Sequence, residues 1–441
     1  MKKILVILAG LVCSTIAFSQ SNTRYQKDLE ILKKGIKLNL DTSGTRYLKF
    51  TATSQFWVRF DQMNPGSTIN GKEVRNQFDP SIRRLRFQFY GPITSRFFFY
   101  TQFGLNNFNF SADRKVGAFF HDAIAEVAAI KQKLHFGGGL SSWGGYSRYS
   151  IPSIGTTLGV DAPIFEQSTN DLTDQFGRKL GLYAKGTTGN FQYRVMVAKP
   201  FLFSKSPSYS ALTEIGPNAK FSPHNPSLQS SAYIQWQFWD VENDELPFFP
   251  GTNLGSKKVL NIALGGLYQP KATWYKNDMG DTLYNNLGFA TLSLFMDLPV
   301  KSKYNVSLYS ALYYHNFGKN YLATVNPNRI TNGLNANGSL ISSHGNAFPI
   351  GTGESFYTQL GFDCKTGNVG RLGINVASYF SKLQRLPQVV DVYEAGLTYY
   401  PYSMHAIKVG LMVQNRPYFN DAGLKESQRF NSVILQFQVG I

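Results

Sequence analysis

The chain has 441 residues, 44 Lys and Arg against 27 Asp and Glu, and a formal net charge of +17, together with 35 Phe, 25 Tyr and 40 Gly. Only Cys364 lies beyond residue 20, which excludes an intramolecular disulfide there, and no later stretch holds 18 consecutive apolar residues, which excludes a membrane-spanning helix. Nucleic acid is the usual partner of so basic a chain, but here the cations alternate with Phe, Leu and Val inside extended runs, which excludes a continuous basic surface.

Met1-Lys2-Lys3, the apolar run Ile4 to Val12 and small residues up to Ala17 read as a secretory signal peptide over residues 1–20, cleaved after Ala17 or Gln20. Cys13 lacks the small residue before it that lipidation needs. Residues 21–46 read as an N-terminal periplasmic segment. Asp28 to Lys37 has helical periodicity for a turn or two, and Ile36, Leu38 and Leu40 alternate as a short strand.

From Tyr47 the alternation is sustained. Leu48, Phe50, Phe56, Val58 and Phe60 share one face, with Lys49, Gln55, Trp57 and Arg59 on the other. Asp61 to Ser81 reads as a polar loop. Next comes a hairpin whose apolar faces carry Leu85, Phe87, Phe89, Phe97, Phe99 and Phe103 and whose polar faces carry Arg84, Arg86, Arg96 and Gln102. Gly91-Pro92-Ile93-Thr94 is its expected turn. Ala118 to Ile130 places Asp122 and Glu126 on one face, and Leu134 to Leu140 returns it. Residues 141–176, with Trp143, Tyr146 and Arg148, are too long for an ordinary connection and are expected to fold inward as a constriction loop. Lys179 and Lys185, then Gln192 and Arg194, lie on the polar face of a further hairpin, and Arg371 and Lys408 occupy the same phase in later strands.

About sixteen strands follow from this reading, and the final run, Val433 to Ile441, is itself amphipathic. Short turns alternate with long loops, save that 240–258 is long where a short turn is due. The expected fold is therefore all-β: a transmembrane antiparallel up-and-down β-barrel over residues 47–441, greasy outside and basic within, in the outer membrane of a Gram-negative bacterium.

Arg83-Arg84-Leu85-Arg86-Phe87 before the Gly-Pro hairpin, Asp122-Ala123-Ile124-Ala125-Glu126 before a glycine-rich strand, Gly181-Leu182-Tyr183-Ala184-Lys185-Gly186 and the terminal strand resemble a Bacteroidetes-type outer-membrane porin, related to the phosphate-selective porin O/P family. The resemblance implies a sixteen-stranded channel, often a homotrimer, with basic residues guiding anions such as phosphate. No dense arginine ladder recurs here, and the last residue is Ile441 rather than an aromatic.

The inward faces collect Lys49, Arg59, Arg84, Arg86, Arg96, Lys179, Lys185, Arg194, Arg371 and Lys408 against Asp122 and Glu126 as the principal acids. A low-dielectric wall of one sign draws counter-ions, so passive diffusion of small anionic or polar solutes is the expected function, with lipid outside. On this reading Arg84→Ala with Arg86→Ala lowers anion preference and leaves folding intact. The bland alternative is that each arginine pairs with an acid and stiffens the wall. Catalysis is not expected: Asp122 and Glu126 stand about 13 Å apart along a strand, the histidines lack metal spacing, and no cofactor fingerprint occurs. Two other readings are an adaptor barrel of an envelope complex and an outer-membrane lipid hydrolase using His344 in Ser342-Ser343-His344-Gly345.

Overall fold

Side chains that alternate between apolar and polar can satisfy both lipid and water only if the ribbon closes on itself. In the computed structural model it does. The structure describes residues 22–69, 72–110, 117–150, 152–163, 165, 178–201, 216–222, 225–326, 329–330, 348–367, 370–420 and 422–441. The signal-peptide reading falls outside them.

Sixteen strands form the wall. The first eight are β1 (Tyr47–Gln62), β2 (Asn76–Pro92), β3 (Phe97–Phe108), β4 (Phe119–Ile130), β5 (Leu134–Ser141), β6 (Lys179–Thr188), β7 (Phe191–Lys199) and β8 (Gln229–Gln237). The second eight are β9 (Val259–Lys276), β10 (Thr282–Val300), β11 (Tyr304–Asn316), β12 (Gly353–Thr366), β13 (Gly370–Leu383), β14 (Val390–Tyr400), β15 (Ile407–Phe419) and β16 (Lys425–Gly440). Each pairs antiparallel with the next, and β16 closes on β1 with Phe56 opposite Phe437 and Asp61 opposite Ser432. No wall strand is left with an open edge in lipid.

The short strand Ile36–Asn39 pairs with the start of β1, continuing the line of β16 beyond Ile441, and the helix Asn22–Lys34 precedes it, its Tyr25 stacked on Tyr402. The turns 93–96, 131–133, 189–190, 301–303 and 401–406, with the strand ends Thr366 and Gly370, mark one end of the barrel, here the turn end; the opposite rim is the loop end.

The phase of the alternation is as the sequence implies. Leu182, Leu264, Leu312, Leu360 and Ile374 point outward and are about half exposed or more, while Gln359, Asp363, Gln436 and Arg194 in the opposite phase are buried. Cys364 lies in the outward phase.

Three boundaries differ from the sequence reading. The first hairpin continues as strand through Pro92 and turns at 93–96, where Thr94 Oγ1 accepts the backbone N–H of Phe97 at 2.9 Å. Pro92 ends the ladder because it has no N–H to give. Arg96 is therefore an exposed turn residue and not part of the inner wall. At the loop end, β1 and β2 extend to Gln62 and back to Asn76, and β15 and β16 run to Phe419 and from Lys425. These strands project past the apolar belt, where Asn415, Arg416 and Asn431 hide the alternation.

Candidate functional site in the lumen

Two segments fold into the barrel. Residues 142–150, 152–163 and 165 descend from the loop end, and residues 238–258, the long connection at the turn end, rise to meet them. Pro152 and Phe249 form a β-bridge between them, and Ser153 donates its N–H to the Phe249 carbonyl at 2.8 Å. The wall makes room with glycines: a Cβ on Gly265 would lie 1.8 Å from the Tyr146 carbonyl oxygen, and one on Gly361 would lie 2.6 Å from the Leu158 side chain.

Charge fixes the two segments to each other and to one half of the wall. Arg148 is buried, donates to both carboxylate oxygens of Glu242 at 2.9 and 2.7 Å and to the Pro250 carbonyl, and lies over the Phe295 ring at 3.4 Å. Such bidentate geometry is the strong form of the pair. Asp161 receives two arginines, Arg83 at 2.9 Å and Arg84 at 2.8 Å. Both reach it because β2 bulges: Arg84 pairs with Gln55 and Ile82 with Phe56, so Arg83 is the extra residue and also turns inward, over Trp57. Burial would raise the Asp161 carboxyl, but the two guanidiniums outweigh it and hold the group below the ordinary carboxylate range.

The remaining polar-face residues are placed as follows. Arg59 bridges Asp61 and Asp79, and Arg371 pairs with Asp363. Asp122 takes Arg178 at 2.9 Å and Ser142 at 2.8 Å. Glu126 takes His135, Tyr183 and Lys185 at 2.7, 2.8 and 3.2 Å. Arg86 donates to the Leu105 carbonyl and to Asn106, and Lys179 is buried. Arg194 donates to the Pro247 carbonyl at 2.8 Å and lies over Phe249, and Lys408 donates to the Thr157 carbonyl at 3.2 Å. Lys49 is half-buried at the side of the lumen, near the Tyr90 ring. Trp143 is buried beside Lys185, and Tyr146 shares a 2.8 Å hydrogen bond with His315.

Of the ten cations expected in the lumen, Arg59, Arg84, Lys185 and Arg371 are ion-paired to carboxylates. Lys49, Arg194 and Lys408 are held by rings and carbonyls, with no carboxylate in ion-pair range among the described residues. Asp122 and Glu126 serve separate cations and do not form a carboxylate pair.

The opposite half of the lumen is aromatic. Phe165 packs on Tyr379 at 4.1 Å and on Tyr313 and Tyr357 at 5.5 Å, and Tyr149 on Tyr309 at 4.5 Å. Between the inserted segments and the wall near β1–β3 and β16 a cavity of about 420 Å³ remains. Lys49, Arg86, Arg178, Gln88, Gln102 and Gln438 bring its polar groups, and no carboxylate side chain lines it.

Sequence reasoning did not assign Arg83, Asp161, Arg178 or Glu242 to the site. The adjacent Arg83-Arg84 is the one local signal, since a strict alternation cannot turn both inward. Ser342-Ser343-His344-Gly345 lies outside the described residues.

No family model matches the chain, and no curated protein does. Among solved structures it is similar to the high-pH structure of OprB from Pseudomonas putida, at 11% identity and TM-score 0.52, over 93% of this chain and 96% of that one. The chain has the porin fold. Other porin-fold structures that align with it are the outer membrane channel DcaP of Acinetobacter baumannii (13% identity, TM-score 0.49, 92% of this chain and 99% of that one) and an anion-selective porin from Comamonas acidovorans (10%, 0.47, 89% and 99%). The shared feature is a sixteen-stranded antiparallel closed barrel, the architecture of bacterial outer-membrane porins. With no family model matching, the likeness to the phosphate-selective porin O/P family rests on the sequence motifs alone.

Proposed function

We propose that the protein is a diffusion channel for small solutes that prefers anions, phosphate among them. The observation that carries this reading is the cavity of about 420 Å³, which is lined by Lys49, Arg86 and the Asp122-paired Arg178 and by no carboxylate side chain. A wall of one sign in a low-dielectric barrel raises the local concentration of counter-ions. The barrel sits in the outer membrane with its turn end and residues 21–46 toward the periplasm, after loss of residues 1–20, and assembles as a homotrimer. The described residues 142–150, 152–163 and 165 of the expected constriction loop narrow the pore, helped by 238–258, and the rest of 141–176 beyond Ser141 lies outside the described residues. In liposome-swelling assays, inorganic phosphate and a small carboxylate should enter faster than a cation of equal size, and Lys49→Glu should shrink the difference. Equal rates for anion and cation would sink the anion preference.

A second reading, a plugged barrel that acts as an adaptor in an envelope complex, is favoured by the bidentate Arg148–Glu242 pair that locks the two inserted segments together. It requires that no small solute passes.

A further inference from the structure

The two rims of the barrel differ in charge. The tight turns 93–96, 131–133, 189–190, 301–303 and 401–406, with the strand end near Lys365, carry Arg96, Lys131, Lys133, Lys301, Lys303 and Lys365 and no carboxylate, while the long connection 238–258 at the same end adds Lys257 and Lys258 against Asp240, Glu242, Asp244 and Glu245, so that cations still outnumber acids there. The first six cations are all exposed. The short connections at the loop end that are described, 63–69, 72–75, 277–281 and 384–389, hold Lys72, Arg75 and Arg385 against Glu73, Asp278 and Asp281, and so balance.

The cations also stand at a defined height. Lys131 follows Ile130, Lys133 lies three residues before Phe136, and Lys365 lies three after Phe362; these apolar side chains point outward and are between about four- and six-tenths exposed. At about 3.3 Å per residue the Cα atoms of these residues lie about 3–10 Å along the chain from the last lipid-facing side chain, within reach of the headgroup layer for a flexible lysine. Lys303 is seated over the Tyr304 ring at 5.4 Å, and Tyr304 stacks on outward-facing Phe362 at 5.7 Å. Lys258 lies over Trp239 at 4.4 Å. Aromatic rings anchor the edge of the apolar belt, and the ammonium groups project just beyond it. The 301–303 turn keeps Lys301 and Ser302 at φ of 48° and 51°, where Asn and Gly are favoured. Lys301 thus stands in a left-handed backbone conformation that lysine seldom adopts.

We infer that the turn end is a cationic collar that binds anionic phospholipid headgroups of the leaflet it meets. The phosphodiester is the matching group, and each Lys or Arg at a negatively charged surface contributes on the order of 1 kcal/mol, falling with salt. A pore-steering role would need the same charges to act on current, so the two are separable.

The test is lipid co-isolation. The intact barrel is extracted from phosphatidylcholine vesicles holding a minority of phosphatidylglycerol, and the lipids that remain bound are quantified. Wild type should retain phosphatidylglycerol several-fold above its share, with the excess lost at high salt. Replacing Lys131, Lys133, Lys301, Lys303 and Lys365 with Gln should abolish the excess while single-channel conductance stays unchanged. Lys131→Gln with Lys133→Gln alone should remove part of it, which keeps the test valid if the five-fold variant does not fold. A loop-end control, Lys72→Gln with Arg75→Gln and Arg385→Gln, should behave as wild type. Retained enrichment in the folded turn-end variants, or equal loss in the loop-end control, would overturn the proposal.

Discussion

The basic and the aromatic halves of the lumen obey one alternation rule and solve different problems with it. On β1–β7 the inward phase carries Arg59, Arg84, Arg86, Lys179, Lys185 and Arg194; Asp161 brings counter-charge to Arg84 from an inserted segment, while Asp61, Asp79 and Glu126 bring it to Arg59 and Lys185 from the wall itself. On β11–β13 the inward phase carries Tyr309, Tyr313, Tyr357 and Tyr379, which pack on Phe165 and Tyr149 and ask for no counter-charge. The inserted segments are thus tethered by ion pairs on one side and by rings on the other. The first attachment is directional and sensitive to protonation. The second depends on shape and area.

The largest effect should come from Glu242→Gln. It leaves Arg148 buried without its counter-ion, and breaking one partner of such a pair costs roughly 3–5 kcal/mol. Thermal unfolding should fall accordingly, while Glu242→Gln combined with Arg148→Met should recover much of the loss, because no charge is then stranded. Additive losses in that cycle would mean the pair is not the tether.

Asp161→Asn should come next, at roughly 1.5–3 kcal/mol for hydrogen bonds to a charged group, and should raise conductance by loosening the 142–165 segment. Its pH dependence has a definite sign. The folded carboxyl lies below its ordinary value, so its stabilisation is complete above about pH 4 and is lost as pH falls through the depressed folded value. Wild-type conductance should therefore rise only in that acid window, and the Asn variant should be flat across it. A wild-type rise already at neutral pH would point to another group.

On the aromatic side, Phe165→Leu keeps bulk but loses ring packing, and roughly 0.5–1.5 kcal/mol should go with it, without any pH or salt signature. The smallest effect on stability should belong to Lys49→Gln, because Lys49 is half-buried and has no carboxylate partner among the described residues. Unfolding should be unchanged and selectivity reduced. The sequence expectation for Arg84→Ala with Arg86→Ala is revised by the same comparison. Arg84 is buried on Asp161, so that variant should lose stability as well as selectivity.

The barrel was legible because lipid and water impose a period-2 pattern that any strand must display. All sixteen strands and their outward faces follow from it. The contents of the lumen were not, since they depend on which loop acid meets which wall cation. Arg83 was hidden by a bulge, which breaks the period at one residue. Asp161 and Glu242 sit in segments without periodicity, and the 240–258 connection could be flagged only for its length. Arg96 failed for a simpler reason: the turn fell two residues later than Gly91-Pro92 suggested.

The most direct measurement is single-channel current and reversal potential in a planar bilayer under a KCl gradient. A steady conductance with a reversal potential on the chloride side is the expected result, moving toward zero with Lys49→Gln. A potassium-side potential, or no current from a barrel that is folded by heat-modifiable mobility, would contradict the anion-channel account.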